Sequence, residues 1–260
     1  MIKFTMIKPI VSLFLFLPVL IFGQIEKLEL GILIGNNGQL ESTLNDFYVA
    51  DYLNLKEPIK YNNAIPNIKY SASARYFFKE NISIRMKLGK VIRKDIHSQG
   101  STTGRWDFDI RQSLVNFSPA VSFSKRLEKF ELCTGLELPF IRVNDFFVNS
   151  YRYDLNNMNS TLGAIYKTTS KGGLIYGFNN FIELKYHFTS RISLGAEIKY
   201  GLLFAKLGGS YSVLSKVNAD PNAPYSRYSE IEKKYKRTFF SPPEVSFGIF
   251  IQLGRNKIKT

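Results

Sequence analysis

Between residues 67 and 79, apolar side chains fall on every second position: Ile68, Tyr70, Ala72, Ala74, Tyr76 and Phe78. Lys69, Ser71, Ser73, Arg75 and Phe77 lie between them. A period of two places the two sets on opposite faces of a β-strand. After the polar turn Lys79-Glu80-Asn81 the alternation resumes, with Ile82, Ile84, Met86 and Leu88 set against Ser83, Arg85, Lys87 and Gly89. Two such runs joined by a short polar turn predict a β-hairpin. The unit recurs. Val115, Phe117, Val121 and Phe123 turn at 125–129 into Phe130, Leu132, Leu136, Leu138 and Phe140. Leu174, Tyr176, Phe178, Ile182, Leu184, Tyr186 and Phe188 turn at 189–191 into Ile192, Leu194, Ala196, Ile198, Tyr200 and Leu202.

Two alternating runs remain at the ends, 27–34 and 244–253. Pairing them closes the sheet and removes both edges, which lipid requires because unpaired backbone groups find no water there. Eight strands have seven connections, and these alternate in length. Those near 79–82, 125–129 and 189–191 are short; those near 35–66, 94–110, 142–172 and 205–240 are long. In an antiparallel ring, the short turns then share one rim and the long loops the other, the asymmetry of bacterial outer-membrane barrels. The expected fold is all-β: an antiparallel up-and-down transmembrane β-barrel of eight strands.

The N-terminus differs from the rest. Lys3 and Lys8 precede an apolar run from Pro9 to Phe22, and Gly23 stands before Gln24. That order is the pattern of a secretory signal peptide. The run is shorter than the roughly 20 residues of a spanning helix. The domain reading is therefore a signal peptide over 1–23 and an outer-membrane β-barrel domain over 24–260, in the cell outer membrane of a Gram-negative cell.

A soluble lipocalin-like barrel also alternates, but two features favour the membrane. Phe78, Phe123, Phe130 and Phe188 lie on the apolar face beside the short turns, and Tyr70, Phe140, Tyr176 and Tyr200 toward the long loops. Two aromatic girdles are expected at the two membrane interfaces. The opposite face is rich in Ser, Gly, Lys, Arg and Glu, which suits a membrane-barrel lumen and not a lipid-binding cavity. The hairpins, above all residues 181–201 (FIELKYHFTSRISLGAEIKYG), resemble the small outer-membrane barrels of the OmpA transmembrane-domain type and the related PorT-like barrels. The resemblance spans roughly 24–254. It implies the barrel fold and, on the PorT-like side, an accessory role in protein secretion within a partner complex. A peptidoglycan-binding domain does not follow, so the anchoring role of OmpA is not expected. Residues 254–260 run past the position where such barrels end in an aromatic residue, which leaves Phe250 or Leu253 as the assembly signal.

Charged residues at 22% and aromatics at 15% exclude a disordered chain. The net charge is +14, of which Lys3 and Lys8 belong to the leader. For an exported chain this basic balance points to anionic lipid or glycan and away from nucleic acid. The single cysteine, Cys133, permits neither an internal disulfide nor a cysteine metal motif. No metal and no cofactor is expected.

The inward face supplies the first candidate site. Lys27, Lys69, Arg75, Arg85, Lys87, Lys185 and Lys199 share it with Glu29, Glu131, Glu137, Glu183, Glu197 and Glu244. Eight strands leave an interior just wide enough for side chains to fill. A salt-bridged plug built on Arg75, Arg85, Lys87, Glu131, Glu137, Glu183 and Glu197 is the expectation; a narrow porin-like ion path is the alternative. The basic loop carrying Lys233, Lys234, Lys236 and Arg237 is the second, a surface for lipopolysaccharide phosphates. His97, with Asp95, Ser98 and Ser101, is the only arrangement suggesting catalysis, as in lipid A-modifying enzymes; His187 reads as a rim residue. In the first and third long loops, Asp46, Phe47, Tyr48 and Tyr52, and Phe146, Phe147, Tyr151 and Tyr153, either pack above the barrel or meet a partner. The function read from the sequence is a non-enzymatic outer-membrane barrel with a structural or surface-interaction role. Its expected partners are outer-membrane lipid, lipopolysaccharide and a secretion or surface complex.

Overall fold

The structure, a computed structural model, describes residues 27–36, 44, 68–100, 104–156, 159–217 and 224–253. The leader segment and Asp46, Phe47, Tyr48 and Tyr52 lie outside the described residues. One antiparallel sheet contains β1 (Leu28–Asn36), β2 (Ile68–Lys79), β3 (Ile82–Gly100), β4 (Gly104–Leu127), β5 (Phe130–Glu137), β6 (Phe140–Val143), β7 (Phe146–Asn156), β8 (Asn159–Ser170), β9 (Gly173–His187), β10 (Ile192–Val217) and β11 (Ser226–Gln252). β5, β6 and β7 are successive pieces of one line, as are β8 and β9, so the ring has eight members. It closes where β1 pairs antiparallel with β11, Glu29 opposite Gln252 and Gly35 opposite Ser246.

The interruptions have local causes. Pro119 in β4 lies beside the break at Leu138 and Pro139, which is flanked by the pairs Ala120–Glu137 and Phe117–Phe140. Neither proline has an N–H for the ladder, but their carbonyls still accept, from Leu138 N at 2.8 Å and from Gly177 N at 3.3 Å. A second level of irregularity runs through Asn144-Asp145, Lys171-Gly172 and Gly208-Gly209. Asp145 accepts from Lys171 Nζ at 2.9 Å and Gly172 N at 3.2 Å, and Gly208 N donates to Gly172 O at 2.8 Å. Gly208 and Gly209 have φ of 91° and 148°, a region glycine enters without strain.

Three of the four long connections are not loops. Residues 94–110, 142–172 and 205–240 are mainly strand, and β4, β10 and β11 reach 24, 26 and 27 residues. A tilted membrane strand needs only about 9–11. In 142–172 and 205–240 the expectation failed because Asn-Asp, Lys-Gly and Gly-Gly pairs have turn composition, and here they fall within continuing strands.

The outer face carries a broad apolar band: Leu30, Ile32 and Ile34 on β1, Val115, Val121 and Phe123 on β4, and Phe247, Ile249 and Ile251 on β11 are all exposed. Water would make such a band an aggregation surface; hydrocarbon is its natural solvent. Phe78, Phe123, Phe130 and Phe188 are exposed at the short-turn rim, where Tyr186 contacts Phe130 at 5.2 Å and Phe188 at 4.9 Å between ring centroids.

The inner face changes character along the barrel. Toward the short turns it is polar. From the register row Val91–Leu114–Val143–Gly173–Leu207–Tyr235 outward apolar side chains predominate, with Gln112, Ser150, Thr168, Ser170 and Lys216 buried among them. Ile110, Phe146, Val148 and Val213 beyond that row, Ile175 and Leu203 just below it, and the isolated Leu44 belong to one core.

Candidate functional site

Seven strands deliver charge to the lower lumen. β1 supplies Glu29; β2, Lys69 and Arg75; β3, Arg85 and Lys87; β5, Glu131 and Glu137; β9, Glu183 and Lys185; β10, Glu197 and Lys199; and β11, Glu244. Each sits on the alternate, inward set of its strand, and each is buried. Six cations thus face six carboxylates.

The pairs form one connected path. Near the apolar core, Lys69 reaches Glu244 at 3.0 Å. Lys199 bridges Glu244 at 3.3 Å and Glu137 at 2.9 Å. Lys87 reaches Glu197 at 2.5 Å. Arg85 is the hub: it bonds Glu197, reaches Glu137 at 3.1 Å and Glu183 at 3.9 Å, and lies 3.8 Å over the Phe181 ring. Arg75 bonds Glu183 and approaches Glu29 at 3.5 Å, and Lys185 holds Glu29 at 2.5 Å. Arg75 Nη1 also lies 3.4 Å from Cys133 Sγ, and Cys133 lies 3.4 Å from Glu131 Oε1. His187 Nε2 meets Glu131 Oε2 at 3.0 Å at the short-turn mouth. Nε of Arg75 and of Arg85 and Oε1 of Glu183 have no hydrogen-bond partner among the described residues.

Two aromatic rings in this layer were not read from the sequence. Phe181 and Phe250 turn inward and are fully buried. Glycine makes room for them: a Cβ on Gly31 would stand 2.7 Å from Phe250 Cε1, one on Gly195 2.8 Å from Phe250 Cε2, and one on Gly135 2.9 Å from Phe181 Cε1. Lys185 Nζ lies 4.5 Å from the Phe250 ring centroid. The available signal was an aromatic on the polar face with a glycine directly across: Gly31 opposite Phe250 and Gly135 opposite Phe181.

The remaining candidates fall elsewhere. Lys27 is half-buried, stands before β1 begins, and forms no ion pair among the described residues. Lys233, Lys234, Lys236 and Arg237 belong to strand β11 and not to a loop, because β10 and β11 stay paired to Ser226. Lys234 is tied to Glu232 at 2.7 Å, Lys233 lies 6.0 Å from the Tyr211 ring, and Arg237 donates to Tyr235 at 3.2 Å. Asp95, His97 and Ser98 fall within strand β3 and Ser98 is exposed, while the side chains of Asp95 and His97, and all of Ser101, lie outside what is described. Phe146 is buried in the apolar core, and Phe147 beside it is exposed; Tyr151 and Tyr153 are half-buried, and Arg105 lies 4.9 Å over the Tyr153 ring. Among the described residues, no cluster of His, Cys, Asp and Glu could hold a metal ion.

No protein-family model matches the chain, and no curated protein matches it. Solved structures similar to it include Neisserial surface protein A, at 10% identity over 86% of this chain and 95% of that chain, TM-score 0.37. Another is a major outer membrane protein from Thermus thermophilus, at 10% identity over 86% and 98%, TM-score 0.40. A third is CarO from Acinetobacter baumannii, at 8% identity over 70% and 92%, TM-score 0.30.

Proposed function

We propose that this chain is a non-enzymatic integral barrel of the outer membrane, exported by removal of residues 1–23, whose closed lumen braces the wall that carries its surface structure. One observation supports this reading above the others: a charge-balanced, buried ion-pair path fills the lumen directly beneath an apolar core. An ion entering from either side must displace partners from carboxylates or ammonium groups that have left water. Leaving one such charge unpaired costs about 3–5 kcal/mol. An apolar layer above the network then gives the ion nothing in exchange.

The long hairpins supply the surface part. From Lys206 to Val217, β10 alone rises roughly 25–30 Å further from the membrane at ordinary strand rise and tilt. This favours a firm, surface-displayed sheet over a set of loops. The test is electrical. The purified full-length protein, reconstituted in planar bilayers with insertion verified by gel mobility, is expected to give no conductance steps above background. Stable open steps from the wild-type protein would overturn the closed-lumen reading.

A further inference from the structure

The register defines an outward row that crosses seven of the eight ring members. Tyr70 stands opposite Lys90, Lys90 opposite Val115, and Val115 opposite Arg142. The row continues from Arg142 to Leu174, Lys206 and Lys236. Every one of these side chains is exposed. Four are cations, none is an acid, and Lys90, Arg142, Lys206 and Lys236 form no ion pair among the described residues.

The neighbouring outward row, two positions nearer the membrane centre, is aromatic. Phe117, Phe140, Tyr176 and Phe204 are successive partners across the sheet. Tyr176 and Phe204 stack at 5.7 Å, and Lys206 Nζ lies 5.6 Å from the Tyr176 ring centroid. Aromatic rings of this kind mark the membrane interface. The cations just beyond them stand at headgroup depth, on the side of the long hairpins. Lys94 and Arg111 add cations further out, Arg111 paired with Asp109 at 2.6 Å.

We infer that Lys90, Arg142, Lys206 and Lys236 form a belt that binds the phosphates of lipopolysaccharide packed around the barrel. This rests on the proposed insertion of the barrel with its long hairpins outward. Lys90, Arg142 and Lys206 stand on alternate strands, about 10 Å apart at ordinary strand spacing. One small anion cannot bridge that distance; a ring of phosphorylated headgroups can. Unpaired ammonium and guanidinium groups at such a surface gain charge-assisted hydrogen bonds that water alone does not match. Of the basic residues singled out on β11, only Lys236 has the outward, unpaired placement that the belt needs.

The experiment uses the full-length protein in detergent micelles and compares lipopolysaccharide bearing bisphosphorylated lipid A with the same lipid dephosphorylated. The wild type should prefer the phosphorylated lipid by about tenfold to a hundredfold. Combining Lys90→Gln, Arg142→Gln, Lys206→Gln and Lys236→Gln should abolish that preference. An equal loss of charge at the other rim, Lys79→Gln, Lys125→Gln, Arg126→Gln and Lys129→Gln, should leave it intact. Equal wild-type affinity for the two lipids, or full preference in the belt variant, would overturn the proposal. So would displacement of the lipid by millimolar inorganic phosphate, the mark of a small-ion site. If the combined variant does not fold, the four single variants decide, each with a partial loss expected. Insertion into vesicles, read by gel mobility, is a separate measurement: its failure would count against the membrane reading itself.

Discussion

Arg85 shows how much one inward residue can carry. It touches Glu137, Glu183, Glu197 and the Phe181 ring, on three different strands of the ring beyond its own. Glu197 answers both Arg85 and Lys87 and is fully buried. Glu197→Gln should therefore destabilise the folded barrel by about 3–5 kcal/mol, because two buried cations lose their carboxylate. Glu131 stands at the mouth, with His187 and Cys133 as its contacts. Glu131→Gln should cost about 1 kcal/mol, since an amide can keep a hydrogen bond there. Urea unfolding followed by gel mobility measures both, and equal costs would contradict the layered arrangement. That these residues face inward follows from the period of two. Which acid meets which base does not: Lys69 and Glu244 are separated by 175 positions and Arg85 and Glu197 by 112, so partners are set by ring closure. Lys27 escaped the pattern because it precedes the strand whose alternation was extended to it.

At the level of whole strands, turn-like residues divide the chain without ending its strands. Asn144-Asp145, Lys171-Gly172 and Gly208-Gly209 lie on neighbouring ring members, so the sheet bends there together and continues. A one-residue offset at such a kink exchanges the inward and outward sets. On the fifth ring member, the inward residues are Ile141 and Val143 before the kink and Phe146 and Val148 after it. A strict period of two misses that change, which is why a continuing strand read as a loop. Strand pairing near closure has its own test. Gly195→Ala would place a methyl group 2.8 Å from Phe250 Cε2, an overpacking expected to cost about 1–3 kcal/mol. Phe250→Ala alone leaves a cavity and should cost about 3–5 kcal/mol. Together the two should cost at least about 1 kcal/mol less than their sum, because the methyl then enters the vacated space. Additive costs in urea unfolding would contradict the packing of β1, β10 and β11 around Phe250.

Taken as one molecule, the barrel solves opposite problems on its two faces. Outside, exposed Leu, Ile, Val and Phe meet hydrocarbon; inside, a balanced network of buried charge gives way to an apolar core, the arrangement that the proposed closed lumen needs. The strand number, the closure of first strand on last and the short-turn rim were legible from alternation and turn spacing. The apolar upper core was not, because most of its residues, among them Phe108, Phe146, Val148, Leu207 and Val213, come from segments that composition assigned to loops, and Leu44 from the first long connection. A single probe is built into the chain. Cys133 is its only cysteine, and it lies fully buried in the lumen between Arg75 and Glu131. The most direct measurement is modification of Cys133 by a water-soluble, membrane-impermeant thiol reagent in protein inserted in vesicles. The closed lumen predicts no modification of the folded protein over the interval in which urea-unfolded protein reacts completely. Modification of the folded protein at a rate near that of the unfolded chain would show a water-filled path to Cys133 and contradict the closed barrel.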